Sequence, residues 1–378
     1  MTGVSCRGAV SGVARSGSRR KRYGHAVVHG VVACVATFAC HDSVPEPASR
    51  SVPTPVSLDV APSSVPTATP SAVNGAPTNP TPSAATGVAA PSDDSFRFPA
   101  PAELVAIGDI HGDLAAARRA LKLAGAIDDQ DRWIGKKLVV VQTGDEIDRG
   151  DDDRAVLELF RRLADDAAKT GGAVHALIGN HEAMNVAGDF RYVTAAGFRQ
   201  FADEKPSAGE HVDFDSLAPE QRGRAATFSA GGVTARLLAE RDTVVVVGDT
   251  VFVHGGVTAE HVRYGLGRFN REVKRWMHGD DPPPALVTDP EGPVWTRRYS
   301  DDHATVDCDG LRAALALLHA KRMVVGHTPQ PKGIDSACDE RVYRVDTGLS
   351  RYYGGPTEVL DIAGDRVTIR REPPASPP

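Results

Sequence analysis

A chain of 378 residues with a formal net charge of −6 is too long for one small core and too neutral for a nucleic-acid binder. Lys and Arg form no tract beyond the first residues, so the footprint of phosphate-backbone binding is missing. The five cysteines, Cys6, Cys34, Cys40, Cys308 and Cys338, make no CxxC pair, which excludes zinc-ribbon and thioredoxin-type sites.

Residues 1–41 carry no acidic side chain. Arg15, Arg19, Arg20, Lys21 and Arg22 precede an apolar stretch, 26–39, that is too short to span a membrane. Residues 1–40 therefore read as an export signal, with Ala39 and Cys40 placed as at a bacterial lipoprotein cleavage site. The expectation is an exported, periplasmic or membrane-anchored lipoprotein that meets the membrane only through that N-terminal anchor. An organellar transit peptide is the rival reading. Residues 41–97 are rich in Pro, Ser, Thr and Ala and poor in large apolar side chains, so they read as a disordered linker. Once residues 1–40 are removed, Cys308 and Cys338 remain, either as free thiols or as a pair in an oxidising compartment.

The catalytic body is expected over residues 98–372, with 373–378 as a tail. Leu104 to Ile107 is a short buried-strand run, followed by a helix over 113–124. Strand 138–142, helix 153–169 and strand 173–178 continue the alternation, which predicts an α/β fold around a parallel sheet. Residues 243–253 read as a hairpin, 323–325 as a strand and 359–369 as a terminal hairpin. Residues 189–240 are less regular and are expected to cover the site. Histidines outside the motifs below, and Trp133, Trp276 and Trp295, are assigned to packing or surface.

Five polar motifs follow strand runs: Gly108-Asp109-Ile110-His111-Gly112, Gly144-Asp145-Glu146-Ile147-Asp148-Arg149-Gly150, Gly179-Asn180-His181-Glu182, His254-Gly255-Gly256 and Gly326-His327-Thr328. Strand ends of open α/β sheets are where ligands gather. Carboxylates, imidazoles and one amide oxygen form a mixed N/O donor set that suits Mn, Fe or Zn rather than a thiolate site. Asp109 and His111 are two residues apart, so an extended strand end would turn both to one side.

This ordered set resembles the calcineurin-type metallophosphoesterase superfamily and, within it, the PPP phosphoprotein phosphatases. Gly188 to Val193 and Phe252 to Leu266 are similar to the Shewanella-like branch. The resemblance implies a four-layer α/β/β/α sandwich with a dinuclear metal site at the strand ends. It implies that Asp109 and His111 hold a first metal, Asp145 bridges, and Asn180, His254 and His327 complete a second, with two Mn ions expected first. It further implies that a metal-bridging hydroxide attacks the phosphomonoester directly. His181 would protonate the leaving oxygen, Asp148 would orient His181, and Arg149 would bind the phosphate. Arg297 is the favoured second phosphate contact, with Arg298 beside it, and Arg191 is either a substrate contact or half of a salt bridge.

The expected substrate is a phosphoprotein, phosphotyrosyl or phosphoseryl/threonyl, and the chain is expected to act as a monomer without nucleic acid. No Tyr-Cys loop like that of animal Ser/Thr phosphatases occurs near the C-terminus; Val345 to Ser350 stands there instead. The enzymatic rival is a dinucleoside polyphosphate or other small phosphoester hydrolase on the same fold. Asp148 before Arg149, and Glu182 after His181, speak against it. From a different class, an inactive surface-binding lipoprotein would be expected to have lost a ligand, His181 or Arg149; all are present.

Overall fold

The short core strands are continuous apolar runs, and because successive side chains point to opposite faces, position along the strand decides which layer each joins. The computed structural model describes residues 95–205, 214–301 and 306–372. The signal segment, nearly all of the linker and the tail lie outside these residues.

The elements begin with β1 (Arg97–Phe98), β2 (Leu104–Ile107), α1 (Leu114–Leu123), β3 (Val139–Gln142), α2 (Asp153–Thr170) and β4 (Ala173–Ala176). Next come α3 (Asn180–Val186), α4 (Ala195–Arg199), α5 (Pro219–Phe228), α6 (Val233–Leu238), β5 (Val244–Val247) and β6 (Thr250–Val253). Then follow α7 (Ala259–Tyr264), α8 (Leu266–His278), α9 (Ala285–Thr288), α10 (Cys308–Leu318) and β7 (Arg322–Val325). The last strands are β8 (Asp335–Ala337), β9 (Val342–Arg344), β10 (Glu358–Ala363) and β11 (Arg366–Arg371).

They form two sheets. The first has the order β11-β10-β2-β3-β4, with β2, β3 and β4 parallel and β10 antiparallel to β2. The second has the order β1-β5-β6-β7-β9-β8, in which β5 and β6 form the expected hairpin while β6, β7 and β9 run parallel. The expected parallel core is thus confined to β2–β4, and the later strands build a separate mixed sheet.

Leu104, Ala106, Val141, Val245, Val247, Phe252 and Leu360 fill the space between the sheets. Their alternates, Val105, Ile107 and Val140, face outward onto Ala117, Leu121, Phe160 and Leu163 of α1 and α2. On the other side Val244, Val246, Val251 and Met323 meet Phe269, Val273, Trp276 and Leu315 of α8 and α10. This is the α/β/β/α sandwich. Each buried aliphatic side chain contributes on the order of 1.5–3 kcal/mol, so the three apolar layers hold the strand ends that carry the site.

Local signals explain the boundaries. Asp113 caps α1 by accepting from the Ala116 N–H at 2.9 Å, so this helix starts one residue later than the sequence pattern suggests. Its second oxygen accepts from the Arg351 N–H at 2.7 Å, which ties the C-terminal loop to the site. Residues 189–240, expected to be irregular, contain α4, α5 and α6, and α5 packs beside α3. Cys308 and Cys338 are joined in a disulfide, Cα to Cα 5.3 Å, linking the start of α10 to the turn between β8 and β9.

Candidate active site

Strands β2, β3 and β4 from one sheet, and β6 and β7 from the other, each end in one of the five polar motifs. Asp109, His111, Asp145, Asn180, His254 and His327 are all buried, and they converge. His254 Nε2 lies 2.8 Å from Asn180 Oδ1, 3.2 Å from Asp145 Oδ2 and 3.2 Å from His327 Nδ1. His254 Nδ1 donates to the Thr143 carbonyl at 3.0 Å, which leaves Nε2 as a free lone pair. His111 Nε2 stands 3.9 Å from both Asp145 Oδ2 and Asp109 Oδ2. Asp145 is the common member of two ligand groups, one with His254 and His327 and one with His111 and His181.

Holding these groups together strains the backbone. His111, Asp145, Asp148, Arg149 and His327 all adopt left-handed conformations, with φ between 49° and 69°. Each costs roughly 1–3 kcal/mol for a residue with a side chain, and such costs persist where the surroundings over-determine the site. Two glycines permit the approach. A Cβ on Gly326 would fall 2.4 Å from Asp109 Oδ1, and one on Gly179 would fall 2.3 Å from Asp145 Oδ1.

The donor set fits divalent cations. Burial and the neighbouring His181 push the His111 imidazole down to about 3, and burial with His254 and Arg297 depresses His327, so both imidazoles are neutral donors that could serve a cation. Burial, with the charges of Asp346 and Asp145, raises Asp109 well above the carboxylate range. Burial likewise pushes Asp346 up to about 6. Asp346 Oδ2 has no hydrogen-bond partner among the described residues. A cluster of acceptors without matching donors is the environment that a cation completes. Asp346 was not singled out from the sequence; a lone Val-Asp-Thr-Gly stretch carries no mark of its contact with Asp109.

Beside this cluster, His181 Nδ1 lies 2.7 Å from Asp148 Oδ2, while its Nε2 is 3.8 Å from Asp145 Oδ2 and 3.4 Å from Arg149 Nη2. Burial opposes charge on His181, but Asp145 and Asp148 outweigh it and hold its pKa above the ordinary value. Glu182, one residue on, accepts from the backbone N–H groups of Gly179, Asp145 and Glu146 at 2.8–2.9 Å, and so pins the β3 loop to the start of α3. Arg149 stacks among Tyr192, Tyr352 and Tyr353, its Cζ 4.5–5.3 Å from the ring centres. Its Nε has no hydrogen-bond partner among the described residues.

The arginines expected near the phosphate divide. Arg297 Nη1 donates to Thr328 Oγ1 at 2.7 Å and to the His327 carbonyl at 3.2 Å, which places it at the rim of the ligand cluster. Arg298 instead pairs with Glu291 at 2.8 Å. Arg191 pairs with Asp189 at 2.6 Å and is 66% exposed. No sequence pattern marks Asn185 and Arg224, which hold the far side of Asp148, or Tyr352 and Tyr353; Tyr192 lies in the Gly188–Val193 stretch that carried the branch resemblance, but its place against Arg149 comes from tertiary packing.

Residues 103–331 match the family described as calcineurin-like phosphoesterases. The chain belongs to that family. This phosphoesterase is 40% identical to Shewanella-like protein phosphatase 2 of Arabidopsis thaliana over 71% of its own length and 77% of the relative's. It is 27% identical to Shewanella-like protein phosphatase 1 of Plasmodium berghei, over 67% and 69% of the two chains. Among solved structures it is similar to the cold-active protein tyrosine phosphatase of a psychrophilic Shewanella species. That similarity has a TM-score of 0.60 and 25% identity, covering 72% of this chain and 79% of the other.

Proposed function

We propose that this phosphoesterase is a metal-dependent phosphoprotein phosphatase. The observation that carries the reading is the convergence of acceptors from both sheets on Asp145, beside the His181–Asp148 pair and the Arg149 guanidinium, whose Nε has no hydrogen-bond partner among the described residues. Asp109, His111 and Asp145 would hold one ion, and Asp145, Asn180, His254 and His327 a second. Mn is the first expectation for this N/O donor set, with Fe or Zn as alternatives. Bound there, two divalent ions supply water activation and neutralise charge on the phosphoryl oxygens.

The chain's own groups do the rest. Arg149 offers a planar bidentate fork to two phosphate oxygens, and its stacking between tyrosines fixes the plane of that fork. Arg297 stands at the rim as a second cation. His181, hydrogen-bonded to Asp148 through Nδ1, presents Nε2 to the leaving oxygen and carries the proton it needs. Tyr192, Tyr352 and Tyr353 line the mouth with partly exposed rings, which favours an aromatic ester such as phosphotyrosine.

Export is a second part of the proposal, with the anchor at Cys40 and the chain acting as a monomer. The Cys308–Cys338 pair supports an oxidising compartment. Mass spectrometry that finds an unmodified Met1 start in the soluble cytoplasm would overturn it.

The test of activity uses the full chain, with Mn added or chelated away, against matched phosphotyrosyl and phosphothreonyl peptides. Phosphate release that requires the metal is expected, faster from the phosphotyrosyl peptide. In His181→Asn, kcat should fall by about 10²–10³ with metal content unchanged. Release indifferent to metal and to His181 would defeat the reading.

A further inference from the structure

Helix α5 comes from the segment whose sequence showed least pattern, yet it places a fully buried cation behind the site. Arg224 is 0% exposed and lies against the rings of Phe201 and Phe228, with Cζ 5.3 and 4.5 Å from their centres. A guanidinium so placed is tolerable only if its donors are met. They are: Nε donates to Asn185 Oδ1 at 2.7 Å, Nη1 to Asp153 Oδ2 at 2.6 Å, and Nη2 to Asp148 Oδ1 at 3.0 Å.

The division of labour on Asp148 is informative. Its Oδ1 accepts from Arg224, and its Oδ2 faces His181 Nδ1 at 2.7 Å. Asn185 Nδ2 bridges both oxygens at 3.1 and 3.0 Å. The Asp148 N–H donates to Asp153 Oδ1 at 3.0 Å, so Asp153 grips both Asp148 and the arginine that holds it. A carboxylate that could otherwise rotate is fixed at both oxygens. Among the described residues, the side-chain hydrogen bonds of Asp153 and Arg224 go to Asp148, Asn185, Gly197 and each other, not to the expected metal ligands.

We propose that Arg224 is a positioning residue for leaving-group protonation, acting through Asp148 to aim His181. This rests on the phosphatase reading above. In the step concerned, the oxygen of a water forms the new P–O bond and releases one proton to solvent, while the bond from phosphorus to the leaving oxygen breaks. The leaving oxygen keeps the electron pair and takes the proton from His181 Nε2, and that proton is replaced from solvent. A misaimed His181 hurts most when the leaving group is a poor one. A stable anion departs without a proton.

Phenyl phosphate and 4-nitrophenyl phosphate share a ring and a phosphoryl group but differ in leaving-group stability, so they separate aim from general damage. The full, Mn-loaded chain is compared with Arg224→Lys and Arg224→Met. The variants should lose about tenfold or more in kcat on phenyl phosphate, a share of the roughly 10²–10⁴ that a general acid supplies, with KM unchanged. On 4-nitrophenyl phosphate the loss should stay within about threefold. Equal losses on both esters, or a change in KM alone, would overturn the proposal. Should Arg224→Met fail to fold, Asp153→Asn removes the anchor while keeping the cation, and should show the same split at smaller amplitude; an even loss there overturns it too. If the unaltered chain hydrolyses neither ester with metal present, the phosphatase reading itself falls, and this proposal with it.

Discussion

Around Asp145 the converging groups are acceptors: the lone pair of His254 Nε2, the Asn180 amide oxygen, the Asp145 carboxylate and the neutral imidazoles of His111 and His327. Around Asp148, a few ångströms away, every acceptor meets a donor from the chain: Arg224, Asn185, His181 and a backbone N–H. The first region hangs on strand ends and strained turns. The second is built by side chains of α3, α2 and α5 locking into one another. One gathers acceptors that a cation could complete; the other is satisfied by the fold itself. The contrast shows where external chemistry enters and where the chain supplies its own order.

Asp145→Asn attacks the first region at its shared member and should have the largest effect. Phosphate release should fall by about 10³ or more, and calorimetry should show Mn binding lost or greatly weakened. The second region should stay folded, so circular dichroism should be unchanged; loss of the fold would mean that the two regions are not separable.

Asp153 sharpens the comparison from the other side. Burial pushes its carboxyl up to about 6, despite the opposing charge of Arg224. Its folded-state pKa therefore lies above its unfolded value, and the folded chain holds a proton that the unfolded chain has released. The stability linked to this group is fully present below about pH 4 and is lost as pH rises through about 6. Urea unfolding of the metal-free chain at successive pH values should show this decline, on the order of 2–3 kcal/mol. In Asp153→Asn the decline should shrink by that share, while Asp346 and Asp109, which burial also raises, keep the remainder. Arg191→Ala should matter least: among the described residues this exposed side chain pairs with its neighbour Asp189, and kcat/KM should change by no more than about twofold.

Much of the first region was legible in the sequence because its ligands sit in short motifs fixed to strand ends. A strand end is a local feature that apolar runs and glycines reveal. The βαβαβ opening and the terminal hairpin were legible for the same reason. The split into two sheets was not readable from the strand runs, since β6 and β7 carry the same valine-rich pattern as β2 and β3 whichever sheet they join; the family resemblance supplied it, and the two sheets bear it out. Arg224 was illegible because nothing in Pro219–Phe228 marks that arginine as buried; only packing of α5 beside α3 does so. Asp346 and the three tyrosines sit in loops whose course depends on hydrogen bonds such as that from the Arg351 N–H to Asp113.

The Cys308–Cys338 link encloses a stretch of the chain, 30 residues in sequence separation, that contains β7 and His327. Joining the ends of such a loop removes conformations from the denatured ensemble, worth about 3.5 kcal/mol in the chain-entropy picture. The other five candidate ligands lie outside the loop. The covalent tie therefore acts on one ligand's segment alone: it leaves the strained turn at His327 with fewer alternatives to compete against, and part of the cost of that geometry is met in the unfolded chain, far from the site where it is used.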